Sequence, residues 1–317
     1  MEFKINILIG SCGGLTGFYL LKELKNNYPK CKVYGFDSNI ECASKIYLDK
    51  IIKAPLISEK FFISFLIKTL NNNNIDVYIP TLSQEIKLVA KYKEDIIKHT
   101  KSKFLISPYK SIEILETKNL AYEELKKIGV IVPKIIEDKL PKFPIFIKPK
   151  YGSGSKSSFK INDIEEYKFY KNKYPNSFFS EYLEGTEYTI DSIFDGKGRL
   201  ISYNQRIRKK VFNGAVIVSQ NNFDYDFKNI IKKISSHYKI CGVANFQFIL
   251  SNEIPYLIDI NLRFASGGLP LSIKSNLNIL ELIFKILFNI PFSKEEYQSD
   301  KKNRIMYRYY EEFYEEN

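Results

Sequence analysis

The stretch NFQFILSNEIPYLIDINLRF, Asn245 to Phe264, places Asn245 and Gln247, then Asp259, Asn261 and Arg263, at two-residue spacing in two successive extended runs. Side chains two apart on a strand project to one side, so one face of this hairpin is polar and the other holds Phe246, Phe248, Ile258, Ile260 and Leu262. Solvent exposure accounts for many polar strand faces, but Asp and Asn are depleted in strands because they compete for backbone hydrogen bonds. The oxygens of Gln247, Asp259 and Asn261 are hard donors of the kind magnesium takes alongside phosphate oxygens and water. Arg263 beside them suits bidentate contact with a phosphate. Upstream, IKPKYGSGSKSS follows Lys148 with a loop containing Gly152, Ser153, Gly154 and Ser155, whose N–H groups can approach phosphate oxygens closely. Taken alone that loop is equally a flexible turn, and it lacks the GxxxxGK order of a P-loop. In SEYLEGTEY, the run through Tyr182 and Leu183 can offer backbone groups to an adenine edge, and Glu187 can accept from ribose hydroxyls. The chemistry is that of a magnesium–nucleotide site.

Positioning such a face requires a layered scaffold, and 317 residues suffice for two or three domains. Residues 1 to 112 alternate strand-like and helix-like segments, KINILIG, LTGFYLLKELKNNY, KVYGFD, SEKFFISFLIKTLNNNN, DVYIP, QEIKLVAKYKEDIIK and KFLIS, which is the pattern of a Rossmann-like parallel α/β unit. Residues 113 to 182 begin with a helix that Thr117 can cap and Gly129 can end, and continue as antiparallel hairpin material around the glycine-rich loop. Residues 183 to 317 hold the polar hairpin and GGLPLSIKSNLNILELIFKILFNI, whose apolar spacing suits a buried helix. The tail from Lys294 mixes Tyr with both charges and reads as a surface element without chemistry of its own. The fold class expected is thus mixed α/β and α+β.

Composition excludes several alternatives. With 44% hydrophobic and 26% charged residues the chain is globular, and no apolar run reaches the roughly 18 residues of a membrane helix, so a cytoplasmic protein with no membrane partner is expected. Net charge is +12, but the lysines are spread along the whole chain. The cluster Arg206 to Lys210 reads better as a local anion site than as a nucleic-acid surface, because no nucleic-acid motif accompanies it. Two histidines and four scattered cysteines without CxxC spacing argue against zinc, disulfides and histidine catalysis. The turn GSCGGLTG with Asp37 closing the next strand superficially matches a dinucleotide fingerprint, yet Cys12 stands where the second glycine belongs.

In order and spacing, Lys118 in a helix, Lys148 before the glycine loop, EYLEGTEYTID, NFQF and IDINLR together resemble the ATP-grasp superfamily, and more narrowly its carbamoyl phosphate synthetase-like single-chain members. GFDSN and IPTLSQEIKLVAKYKEDI are similar to the pre-ATP-grasp domain of those proteins, so the resemblance runs to about residue 290. It implies an ATP-grasp fold behind the Rossmann-like domain. It implies that Lys118 and Lys148 hold ATP phosphates, that residues 152–158 form a mobile flap, that Glu181, Tyr182 and Leu183 bind adenine and that Glu187 meets the ribose. Gln247, Asp259 and Asn261 then match the ligands of magnesium, one or two ions with manganese as a substitute, and Arg263 the phosphate arginine. The family usually has Glu where Asp259 stands, and another glycine where Ser157 stands. Arg206 and Arg208 match an arginine that several members use on the strand before the metal hairpin, and a solvated strand face explains them equally. The implied activity is ADP-forming ligation of a small-molecule carboxylate, such as an amino acid, to an amine through an acyl phosphate. The acceptor site is expected between the first domain and the hairpin, with Ser83, Glu85 and the FASGG segment as candidates. A homodimer stays open, as do two other readings: an ATP-binding regulatory protein without turnover and an NAD-dependent oxidoreductase.

Overall fold

The computed structural model describes residues 3–137, 141–152, 157–212 and 214–314. Three sheets organise the chain. The first is parallel and four-stranded, in the order Lys50–Lys53, Lys32–Asp37, Asn6–Ile9, Val77–Ile79. Its strands Asn6–Ile9 and Val77–Ile79 are short apolar runs that are almost wholly buried, as parallel sheets flanked by helices require, while the edge strand Lys50–Lys53 is part exposed. Helices Leu15–Asn27 and Phe62–Asn72 connect strands of this sheet, and Ser83–Lys91 follows its last strand. Two expectations change here. QEIKLVAKYKEDIIK is broken at Tyr92 into Ser83–Lys91 and Lys93–His99. KFLIS contributes only a bridge between Lys103 and Val77, since Ser107 turns away to exchange hydrogen bonds with the backbone of Cys241.

The second sheet, Ile135–Ile136, Ser177–Glu181, Ile145–Pro149 and Phe159–Ile161, is antiparallel and carries helix Ile164–Lys173. Asp163 caps that helix, accepting from the N–H groups of Glu165 and Glu166. Thr117, by contrast, stands at the start of helix Lys118–Lys127 without capping it; its hydroxyl donates to Glu113 O at 2.7 Å. The second sheet has a small core of its own around Ile145, Ile147, Ile161, Tyr167 and Phe179, whereas Ala121 and Leu125 of the preceding helix belong to the large core.

The third sheet is six-stranded and antiparallel: Ile254–Asn261, Gly242–Ser251, Thr186–Phe194, Leu200–Phe212, Ala215–Asn221 and Ile305–Tyr307. Its apolar face, with Phe246, Phe248 and Leu262 buried, packs into the same core as Leu8 and Phe36 of the first domain, so both layers share one interior. The segment expected to form one buried helix is two, Leu269–Lys274 and Ile279–Leu287, separated where Asn276 takes φ +68°. The tail, expected on the surface, supplies the edge strand Ile305–Tyr307, paired with Val218–Gln220. Among the described residues no helix is long and apolar enough to cross a membrane.

Candidate active site

The hairpin register sets Gln247 opposite Asp259 and Asn245 opposite Asn261, so the alternating row does share one face. The next two strands extend it. Gln247 neighbours Thr189, and Thr189 neighbours Arg206; one step along, Asn245 neighbours Asp191, and Asp191 neighbours Asn204. The polar face is therefore a floor of two rows running across four strands. The second sheet forms its roof, and a cleft of about 610 Å³ lies between them.

At the hairpin end of the floor, Lys118 Nζ lies 2.9 Å from Asp259 Oδ1 and donates to Gly152 O at 3.0 Å, which ties the base of the glycine loop to the charge cluster. Lys148 Nζ donates to Tyr122 Oη and to Ile258 O, both at 3.1 Å. Asn261 Nδ2 donates to Asp259 Oδ2 at 3.1 Å. Arg263 donates from Nε to Ser83 Oγ at 3.1 Å, joining the hairpin to the first domain, and from a terminal nitrogen to Asn261 Oδ1 at 3.3 Å. Burial alone would push the Asp259 carboxyl up, but the Lys118 and Lys148 ammoniums, with hydrogen bonds from Lys118 and Asn261, hold it below the usual carboxylate range. Burial depresses Lys148 to about 8, with Asp259 opposing and Lys118 adding to the shift.

That depression has a kinetic signature. If the Lys148 ammonium binds phosphate, kcat/KM for a nucleotide substrate falls as pH rises through about 8, because the free protein loses that charge there. Lys148→Arg should move this limb to higher pH; a flat profile from pH 7 to 9.5 in both proteins would remove Lys148 from nucleotide binding.

Sequence reasoning placed the other candidates unevenly. Tyr182, Leu183 and Glu187 line the cleft, Glu187 pairing with Arg208 at 3.1 Å. Glu181 also lines it, while its carboxylate accepts from Lys134 N–H at 2.9 Å. Gly152 lies at the cleft edge; Ser153, Gly154 and Ser155 lie outside the described residues. Arg206 and Arg208 do not form a common basic surface. Arg206 is 3% exposed, and its Nε lies 3.0 Å from Asp191 Oδ2.

Three residues went unread. Tyr122 anchors Lys148, Asp191 anchors Arg206, and Glu116 accepts from Leu262 N–H at 3.0 Å beside Asp259 and Arg263. The EYTID spacing, with Glu187, Thr189 and Asp191 on one face, was a usable signal for Asp191. Nothing local marks Glu116.

Glu85, expected near an acceptor, is fully buried within the first domain. It accepts from Tyr78 Oη at 2.5 Å and from Thr81 N–H at 3.3 Å. Its carboxylate lies so close to Gly10 that a Cβ there would come within 1.7 Å of Oε1. The carboxylate thus ties together the loops after Asn6–Ile9 and Val77–Ile79, which present Ser83 to Arg263. Burial raises Glu85 to about 7 from the ordinary 4.5, hydrogen bonds opposing. The folded state therefore holds this proton more tightly than the unfolded one. The resulting stability is full below pH 4.5 and is lost as pH rises to 7, on the order of 3 kcal/mol over that interval. Glu85→Gln should flatten this slope in urea melts at pH 5 and 7; an unchanged slope would assign the pH dependence to other groups. Asp37 is likewise spent on structure, accepting from Gly13 and Asn39 N–H groups at 2.9 Å each, so the glycine turn works as a strand-to-helix connection.

The donors around Asp259 fit a hard cation. Gln247, Asp259 and Asn261 carry hard oxygen donors on one face, with Asp259 the single carboxylate among them.

Residues 173–313 match the profile of the family described as "ATP-grasp in the biosynthetic pathway with Ter operon". The carbamoyl phosphate synthase large chain of Saccharolobus solfataricus is 28% identical over 220 residues, covering 61% of this chain and 21% of that one. This chain thus spans about a fifth of that relative's length. Among solved structures, N5-carboxyaminoimidazole synthetase from Staphylococcus aureus, complexed with ADP, superposes with TM-score 0.74 at 17% identity, covering 97% of this chain and 83% of that one. The chain as a whole has an ATP-grasp fold, and residues 173–313 match an ATP-grasp family model. A second ATP-grasp fold, the biotin carboxylase domain of Hydrogenobacter thermophilus 2-oxoglutarate carboxylase in complex with MgADP, ADP and bicarbonate, superposes with TM-score 0.75 at 14% identity over 96% of this chain and 74% of that one. The likeness takes in the N-terminal parallel sheet as well as the ATP-grasp sheets, since nearly the whole chain is covered.

Proposed function

We propose that this protein is an ATP-dependent ligase that activates a small-molecule carboxylate as an acyl phosphate and passes it to a nitrogen nucleophile, forming ADP. The observation that carries the reading is the convergence of Lys118, Lys148 and Arg263 with Asp259 and Asn261 at one end of one cleft. Neighbouring structures complexed with ADP and magnesium support nucleotide use by this fold.

In this reading the adenine lies along Tyr182 and Leu183, the ribose meets Glu187, and the phosphates run toward Lys118 and Lys148. A carboxylate oxygen of the co-substrate attacks the γ-phosphorus, the bond to the β-γ bridging oxygen breaks, and ADP leaves with that electron pair. Transfer of this kind depends on alignment and on charge placed where it develops. The two lysines and Arg263 supply positive charge at the phosphoryl oxygens without needing a nucleophilic side chain. Asp259, Asn261 and Gln247 would hold Mg2+, whose charge would further neutralise the phosphates when bound. Tyr122 and the Ile258 carbonyl keep the Lys148 ammonium aimed into the cleft. Enclosure between floor and roof limits water access to the acyl phosphate.

The test is ADP release from purified protein given Mg-ATP and a pool of amino acids, small carboxylates and bicarbonate, with hydroxylamine present. Acid-dependent ADP with a matching hydroxamate is the expected result. Tight ATP binding with no acid-dependent ADP across the pool would sink the ligase reading in favour of a nucleotide-binding regulator.

A further inference from the structure

We propose, resting on the ligase reading above, that Thr189 is a binding residue for the co-substrate acid, its hydroxyl donating to the carboxylate that is activated. Thr189 is 1% exposed and its side chain lines the cleft, yet Oγ1 has no hydrogen-bond partner among the described residues. A buried hydroxyl without a partner costs about 1–3 kcal/mol, and native proteins rarely keep one unless something else satisfies it. Arg208, on the next strand and also lining the cleft, likewise has an unpartnered buried Nε. The floor here is built for a ligand that brings its own acceptors.

The surroundings state what kind. On one side of Thr189 stands Gln247, next to Asp259; on the other stands Arg206. The hydroxyl therefore sits one strand inward from Gln247 and two from Asp259, next to the proposed phosphate end of the floor. Arg206 uses Nε and one terminal nitrogen on Asp191, leaving the other terminal nitrogen against Gly268, where a Cβ would stand 2.5 Å away. The acidic side chains that line the cleft are already engaged: Glu181 by Lys134 N–H, Glu187 by Arg208 and Asp259 by Lys118. At the Thr189 end an anion accepting from Thr189 and Arg206 meets carboxylates that already have cationic partners, Asp191 with Arg206 and Glu187 with Arg208. Thr16 and Ala265 present only small side chains at this end, while the bare Cα atoms of Gly267 and Gly268 are closed off by Val216, Arg308 and Arg206.

Thr189→Val tests this because it separates ligand binding from structure. A hydroxyl that serves the fold would lower the melting temperature when removed; an orphan hydroxyl would leave it unchanged or raised. Melting temperatures are read for wild type, Thr189→Val and Thr189→Ser, first alone, then with MgADP, then with MgADP plus the panel of amino acids, small mono- and dicarboxylates and bicarbonate. The expected result is an unchanged or higher midpoint for free Thr189→Val and an undiminished MgADP shift. The shift from whichever acid stabilises wild type should be weakened, corresponding to about tenfold poorer binding, and restored in Thr189→Ser. An acid shift equal in Thr189→Val and wild type overturns the proposal. So does a destabilised free variant, or a wild type that responds to MgADP but to no acid. A wild type that fails to respond to MgADP overturns the nucleotide reading itself, a distinct outcome.

Discussion

Asp259→Asn is expected to leave a folded protein whose turnover is lower by about a thousandfold or more. The substitution keeps the shape and one oxygen but removes the negative charge that Lys118 meets at 2.9 Å, next to the Lys148 ammonium. Two half-buried cations then face each other without their anion, and any divalent cation loses the one carboxylate among the proposed ligands. Asp259→Glu is the informative companion, since the longer carboxylate is the commoner one in the family this sequence resembles. It should retain measurable activity with an altered metal requirement. ADP production and far-ultraviolet circular dichroism decide the matter: an Asn variant with ordinary turnover and ordinary metal dependence would remove Asp259 from the ligand set.

Arg206→Met is expected to destabilise the fold by about 3–5 kcal/mol, the usual cost of removing one partner from a buried ion pair. Arg206 and Asp191 are 4% and 5% exposed at their side chains. Asp191 also accepts from Asn245 Nδ2 and Ser272 Oγ, so its carboxylate is fixed at the centre of a network. Without the guanidinium that charge has no counter-ion. Asp191→Asn in the Arg206→Met background removes the stranded charge while keeping an acceptor, and should recover part of the loss. Denaturant midpoints of the three variants are the measurement. A loss under about 1 kcal/mol for Arg206→Met would mean that water reaches Asp191.

What the sequence disclosed follows from which interactions are local. The hairpin face of Gln247, Asp259, Asn261 and Arg263 was readable because a period of two fixes which side chains share a face, and the parallel order of the first domain because strand and helix periods alternate. Thr189 and Arg206 come from other strands, and their place in one row with Gln247 depends on a pairing register that no short window encodes. Glu85 was misplaced for a different reason. Its position after a parallel strand suits a ligand site, but Tyr78 and the bare Cα of Gly10 gave the carboxylate an inward home. Helix breaks at Tyr92 and Asn276 depended on tertiary packing, which overrides the apolar spacing that suggested continuous helices.

Lys118 lying on Asp259 also sets the order in which such a site fills. A divalent cation approaching the nucleotide-free protein meets a carboxylate already neutralised at 2.9 Å, with Lys148 nearby, so its electrostatic welcome is poor. Polyphosphate oxygens can draw the lysines toward themselves and release the carboxylate. Metal and nucleotide would then be heterotropic partners, each raising the other's affinity by the same factor. A cation held by Asp259, Asn261 and Gln247 would then come in with the nucleotide, and a titration with the metal salt alone would understate the strength with which the complex holds it.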